Sequence, residues 1–236
     1  MTPRLPLVLL PGTLCDERLW SAQVKALSPE RPVIVCPLGE KPSIEAEVAH
    51  LLVSLPPRFF LAGFSLGGIV AFEFYRQAPE RIAGIALVGS NARPDPEANH
   101  RTRARHQERA SRGDLAGLLR EEMLPHYLSE HCERRAELHE LIVAMAHKSA
   151  VRFAHQTNYV RRRADSRPML SSIDVPALLV YGEEDRLSPL DRQIEMASAL
   201  PDVTSVAIPL CGHFVTLEAA DICTDAMKRW MELVED

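Results

Sequence analysis

No stretch of this 236-residue chain is apolar over anything near the ~20 residues that a membrane-spanning helix needs. Cysteine is scarce as well. The five residues are widely scattered, odd in number and without a C-x-x-C pair, which excludes a disulfide framework and a zinc knuckle and points to a reducing compartment. There is no H-E-x-x-H, no Gly-Lys loop to cradle phosphates and no dinucleotide fingerprint, so neither a metal nor an organic cofactor is expected. The net charge of −5 gives no general attraction to nucleic acid or to anionic membranes. "RTRARHQER" and "RRR" are basic, but they lack the interleaved aromatics of a single-strand binding surface. The opening "MTPRLPLVLLPG" is interrupted by Pro6 and has no small-residue cleavage site, so it reads as a strand rather than a signal peptide. A cytoplasmic protein is expected.

What the chain does contain is a recurring unit: a short apolar run followed by a stretch of helical period. The runs are "LPLVLL" (5–10), "VIVC" (33–36), "FFLAGF" (59–64), "IAGIALVG" (82–89), "ALLVYG" (177–182) and "VTSVAI" (203–208). Helices are expected near 16–27, from an N-cap at Ser43 to Leu55, from Ser65 to Gln77, near 189–200 and near 217–234. Apolar strands alternating with helices indicate an α/β three-layer sandwich. Its mostly parallel sheet, of about six strands, is covered by helices on both faces.

The alternation fails between about Asn91 and Ile173. That segment reads as three or four helices, and its composition differs from its flanks. From Arg93 to Arg167 it carries fifteen basic against eleven acidic residues and seven of the nine histidines. The expected organisation is therefore a core of residues 1–90 and 174–236, with residues 91–173 as an inserted helical cap roofing the carboxyl ends of the strands.

Ser65 in "LAGFSLGG" follows a strand and opens a helix, with Gly63 and Gly67 two residues to either side. A strand-to-helix turn that sharp leaves no room for side chains at those flanking positions, and it holds the hydroxyl exposed as a nucleophile. A serine needs a base. His213 in "LCGHF" lies after the last strand, at the same carboxyl edge as Ser65, whereas His50 falls within a helix that flanks the sheet. His131, His139, His147 and His155 recur every eight residues and read as surface groups. The base in turn needs an acceptor. Glu183, Glu184 and Asp185 in "YGEEDRLSP" all compete for that role, and Asp185, deepest in the turn, is preferred. An oxyanion hole would use the Leu66 N–H together with that of Thr13, or alternatively Leu14, in "LPGTLCD", where Gly12 allows close approach of the backbone.

Taken together these stretches resemble the α/β-hydrolase superfamily over nearly the whole chain. "LLPGTL", "GFSLGG", "GEEDRLSP" and "CGHF" come in the family's order of oxyanion loop, elbow, acid turn and histidine. The resemblance implies that Asp185 is the acid, and that the inserted segment is a cap. Two features depart from the family: Pro11-Gly12 stands where His-Gly is usual, and the first run here matches the strand that carries the oxyanion loop, so six strands are expected without the two that usually precede it. Serine at the elbow separates the chain from the similar dehalogenase and epoxide hydrolase branches.

The expected activity is cleavage of a small or medium acyl ester, a small-molecule substrate, by a Ser-His-Asp triad. Lactonase, thioesterase or C–C hydrolase chemistry would use the same machinery, and a non-catalytic receptor is the remaining alternative. The cap arginines Arg101, Arg103 and Arg161 to Arg163 make acidic substrates conceivable.

Overall fold

Alternating hydrophobicity builds the centre of the molecule. The computed structural model describes residues 4–235. Six strands, β1 (Leu7–Leu10), β2 (Val33–Val35), β3 (Phe59–Phe64), β4 (Ile82–Val88), β5 (Ala177–Gly182) and β6 (Val203–Ile208), pair in the order β2-β1-β3-β4-β5-β6. Every pairing is parallel. Parallel neighbours need long crossover connections, and here those connections are helical.

Along β1, β3, β4 and β5 every side chain is buried, and successive residues face opposite sides. Leu7, Leu9, Phe60 and Val180 join one core with Trp20, Met227 and Trp230. Val8, Leu10, Phe59 and Leu179 join the other with Val48, Val70, Phe74 and Met196. At about 1.5–3 kcal/mol per fully buried large side chain, these two layers dominate the stability of the fold. The outer strands β2 and β6 are partly exposed, because each has a neighbour on one side only.

The helices, in chain order, are α1 (Ser21–Leu27), α2 (Ile44–Leu52), α3 (Leu66–Gln77), α4 (Asn99–Ser111), α5 (Leu115–Leu118), α6 (Arg135–Ser149), α7 (Phe153–Arg162), α8 (Leu190–Ala199), α9 (Val215–Glu218) and α10 (Ala220–Glu235). Ser43 caps α2 as expected, its hydroxyl accepting the Ala46 N–H at 3.3 Å. Two expected helices are divided. The stretch expected at 16–27 begins as a 3₁₀ turn over Glu17–Trp20, with the Asp16 side chain as its cap. The last helix is broken at Ala219, where φ −129 and ψ 50 leave helical space. No helix among the described residues is long and apolar enough to cross a membrane. All five cysteines are free thiols.

Between β4 and β5 the chain forms α4 to α7 and, among the described residues, no strand. α7 belongs to both cores: Phe153 packs with the first, Tyr159 and Val160 with the second. Near its middle this segment widens into a π turn over Leu119–Met123.

The strand order places a switch point between β1 and β3, since β2 lies on one side of β1 and β3 on the other. In open α/β sheets the crevice outside the carboxyl ends at such a point is where ligands bind. The loops after β1 and β3 both open into it.

Candidate active site

The turn after β3 is forced by sterics. Ser65 has φ 51 and ψ −110, a strained conformation for a residue with a side chain, and its N–H is held by the Val88 carbonyl at 2.9 Å. A Cβ on Gly63 would lie 2.3 Å from the Gly67 carbonyl, and one on Gly67 would lie 2.2 Å from the Leu10 carbonyl. Only glycine fits at either place, as the spacing around Ser65 predicts.

Three side chains distant in sequence meet at the carboxyl edge. His213 Nε2 stands 3.0 Å from Ser65 Oγ, and His213 Nδ1 stands 2.8 Å from Asp185 Oδ2. An ionised carboxylate only accepts hydrogen bonds, so Nδ1 carries the ring proton and Nε2 presents its lone pair to the hydroxyl. The other Asp185 oxygen accepts the N–H groups of Leu187 and Ser188 at 2.8 and 2.9 Å. Burial pushes the Asp185 carboxyl up, but the adjoining His213 and these backbone bonds outweigh it and hold the group below the usual carboxylate range. Of its two competitors, Glu183 is exposed and Glu184 turns away to the Ser129 hydroxyl at 2.6 Å.

The N–H groups of Thr13 and Leu66 have no acceptor among the described residues, and both residues line the same cavity as Ser65 and His213. The Leu14 N–H, the alternative donor, is not free: Gln156 Oε1 takes it at 2.9 Å. A Cβ on Gly12 would meet the Phe64 ring at 2.8 Å, and Phe64 itself lines the cavity, so the glycine lets this loop lie close against a ring of the cavity wall.

The cavity measures about 390 Å³, within the usual range for small-molecule sites. Its far wall comes from the α4–α7 segment, through Arg103, His106, Glu122, Tyr127, Phe153 and Arg163. Of the arginines singled out in the sequence, Arg103 and Arg163 reach this wall, whereas Arg101 and Arg162 are exposed and Arg161 is not among the lining residues. The eight-residue histidine series divides: His131 and His147 are on the surface, but His139 is half-buried and His155 meets the Gly39 carbonyl at 3.0 Å.

Two contacts around His213 have no signal in the sequence. The Tyr127 carbonyl accepts the His213 N–H at 2.8 Å. Glu218 accepts the N–H groups of Ser129, Gly212 and Phe214 at 2.8, 3.1 and 3.2 Å, tying the histidine loop to the segment before α6. Burial raises the Glu218 carboxyl above its ordinary value despite those three donors.

The model of the alpha/beta hydrolase family matches residues 7–226. The chain belongs to this family. Among relatives of this hydrolase, a pimeloyl-acyl-carrier protein methyl ester esterase from Aromatoleum aromaticum is 28% identical over 239 residues, covering 93% of this chain and 95% of the relative. A thermophilic esterase from Thermogutta terrifontis, solved with malate bound, superposes with a TM-score of 0.89 at 29% identity, covering 99% of this chain and 92% of that one. The enol-lactonase of Burkholderia xenovorans shares the fold, with a TM-score of 0.83 at 23% identity over 97% of this chain and 92% of that one.

Proposed function

We infer that this α/β hydrolase cleaves small or medium carboxylic esters through an acyl-enzyme on Ser65. The observation that carries the reading is the continuous Asp185–His213–Ser65 hydrogen-bonded chain, with separations of 2.8 and 3.0 Å, beside two backbone N–H groups with no acceptor among the described residues. Esterases among the relatives at 28% and 29% identity over nearly the full chain support it.

In this reading Ser65 Oγ bonds to the ester carbonyl carbon while its proton passes to His213 Nε2. The carbonyl π pair moves onto oxygen, where the Thr13 and Leu66 N–H groups hold the developing charge. The C–O bond to the alcohol then breaks, and His213 returns its proton to the departing oxygen. Water repeats the sequence on the acyl-enzyme and releases the acid. Asp185 stays ionised throughout and stabilises the imidazolium. Residues 91–173 act as a cap whose inner wall selects the substrate.

The test is hydrolysis of p-nitrophenyl esters of increasing acyl length. Turnover that Ser65→Ala abolishes is expected. Turnover that survives Ser65→Ala, or none at any chain length, would rule the reading out.

A further inference from the structure

One wall of the cavity carries more positive charge than the fold needs. Asp95, its side chain fully buried, accepts from Arg103 Nε at 2.7 Å and Arg103 Nη2 at 2.8 Å, and Arg163 Nη1 lies 3.7 Å away. One carboxylate thus faces two guanidiniums, and neither arginine has another acidic partner within ion-pair distance among the described residues. Asp95 lies behind the wall, and Glu122, the one acid among the described residues that lines the cavity, is already committed to Arg105, His106 and Arg109.

Arg163 is the telling residue. Its side chain is only 9% exposed, yet it lines the cavity that holds Ser65. Nε donates to the Arg93 carbonyl at 2.7 Å and Nη1 to the Val160 carbonyl at 3.3 Å, which fixes the plane of the guanidinium. Nη2 has no acceptor among the described residues, and neither has Arg103 Nη1. Burial pushes the Arg163 guanidinium down to about 10, a sign that its charge is poorly compensated. A structural clamp between α4 and the end of α7 would account for the Asp95 contacts. It leaves the surplus charge and the idle donors unexplained.

We propose that Arg163 and Arg103, oriented by Asp95, form an anion-binding subsite that takes a free carboxylate on the substrate, so that the preferred esters are half-esters of dicarboxylic acids. This rests on the esterase reading for the reaction, but not for the binding. A carboxylate accepts two parallel N–H bonds from guanidinium groups, and a rigid, partly dehydrated arginine is well suited to offer them. The uncharged diester of the same acid would leave the charge unmet.

The experiment compares kcat/KM for the monomethyl and dimethyl esters of the straight-chain acids from succinic to suberic. The expected result is a preference of at least about tenfold for the half-ester at one or more lengths. Arg163→Gln should reduce that preference roughly tenfold or more, whereas Arg112→Gln, at an exposed arginine of α4's C-terminal end, should not change it. Arg103→Gln, read in the same way, decides the matter if Arg163→Gln does not fold. No preference at any length, or a preference that persists in the folded variant, overturns the proposal. If no ester is turned over, the esterase reading fails separately, and calorimetry on Ser65→Ala then decides the subsite. Half-ester binding weakened at least tenfold by the added Arg163→Gln supports it; equal binding, or none, overturns it.

Discussion

Gln156 holds Leu14 by its main chain: the side-chain oxygen accepts the Leu14 N–H at 2.9 Å, and the side-chain amide donates to the Leu38 carbonyl at 2.9 Å. Leu14 has φ 57, a left-handed conformation that costs a branched residue roughly 1–2 kcal/mol. A buried residue of α7 therefore fixes the Thr13–Leu14 peptide, the next one in the chain after the peptide whose N–H is the proposed oxyanion donor. Gln156→Leu should leave two buried backbone groups unpaired and destabilise the fold by about 2–4 kcal/mol. It should also lower kcat for p-nitrophenyl acetate at least tenfold. Thermal denaturation and steady-state kinetics on one preparation check both, and wild-type kcat in the folded variant would remove Gln156 from this role.

The elbow predicts a sharper cost. A methyl group on Gly67 would sit 2.2 Å from a main-chain oxygen of β1, and neither the strand nor the turn can move without breaking the sheet. Gly67→Ala should lose at least about 3 kcal/mol of unfolding free energy in urea. Gly113→Ala tests a different effect. Nothing lies within 4 Å of a Cβ there, so only the strain at φ 86 remains, and the loss should be no more than about half as large. Equal losses would mean that close approach is not what requires glycine at the elbow.

Two carboxylates near His213, the buried Asp185 and the half-buried Glu218, should respond to pH in opposite senses. Asp185 is held below its ordinary value, so its stabilising contribution is present above the unfolded-state pKa and is lost as pH falls through the lower folded value. The advantage of wild type over Asp185→Asn should thus shrink below about pH 4. Glu218 is raised by burial, so its contribution is complete below the unfolded value and declines as pH rises through the folded one. Wild type should therefore lose ground to Glu218→Gln as pH rises above about 4. Denaturation curves for the three proteins from about pH 2 to about pH 7 give both slopes, and slopes of the same sign for the two variants would contradict the assigned directions.

Much of this site is legible in the sequence. Six apolar runs became six strands, because a parallel sheet covered on both faces demands such runs. Ser65, His213 and the acidic turn at 183–185 are readable because each follows a strand and the carboxyl ends of parallel strands share one edge, whereas the preference for Asp185 within that turn rests on its depth there and on the family resemblance. The cavity wall from the α4–α7 segment is not legible to the same degree. A helical period shows that α4 and α7 have buried and exposed sides, but not which side faces the cavity. Arg103 and Arg163 thus looked no different from Arg101 and Arg162. Gln156 and Glu218 act on backbone groups 142 and up to 89 residues away, and no local pattern marks such a contact. The sequence also left Thr13 and Leu14 as alternatives, since choosing between them required knowing where Gln156 points.

Asp185→Asn should also separate positioning from nucleophilicity. The amide can still meet Nδ1, but it favours the wrong tautomer of His213. A fall in kcat of roughly 10³–10⁴ is expected, with Ser65 intact and the fold retained. Activity within tenfold of wild type would show that the carboxylate is not needed to orient the imidazole.

The most direct test is covalent. Fluorophosphonate treatment of the native chain, followed by peptide mass spectrometry, should place a single adduct on Ser65. Labelling should slow by at least about 10³-fold in His213→Ala and disappear in Ser65→Ala. A folded wild-type protein that takes up no label, or takes it up elsewhere, would contradict the account at its centre.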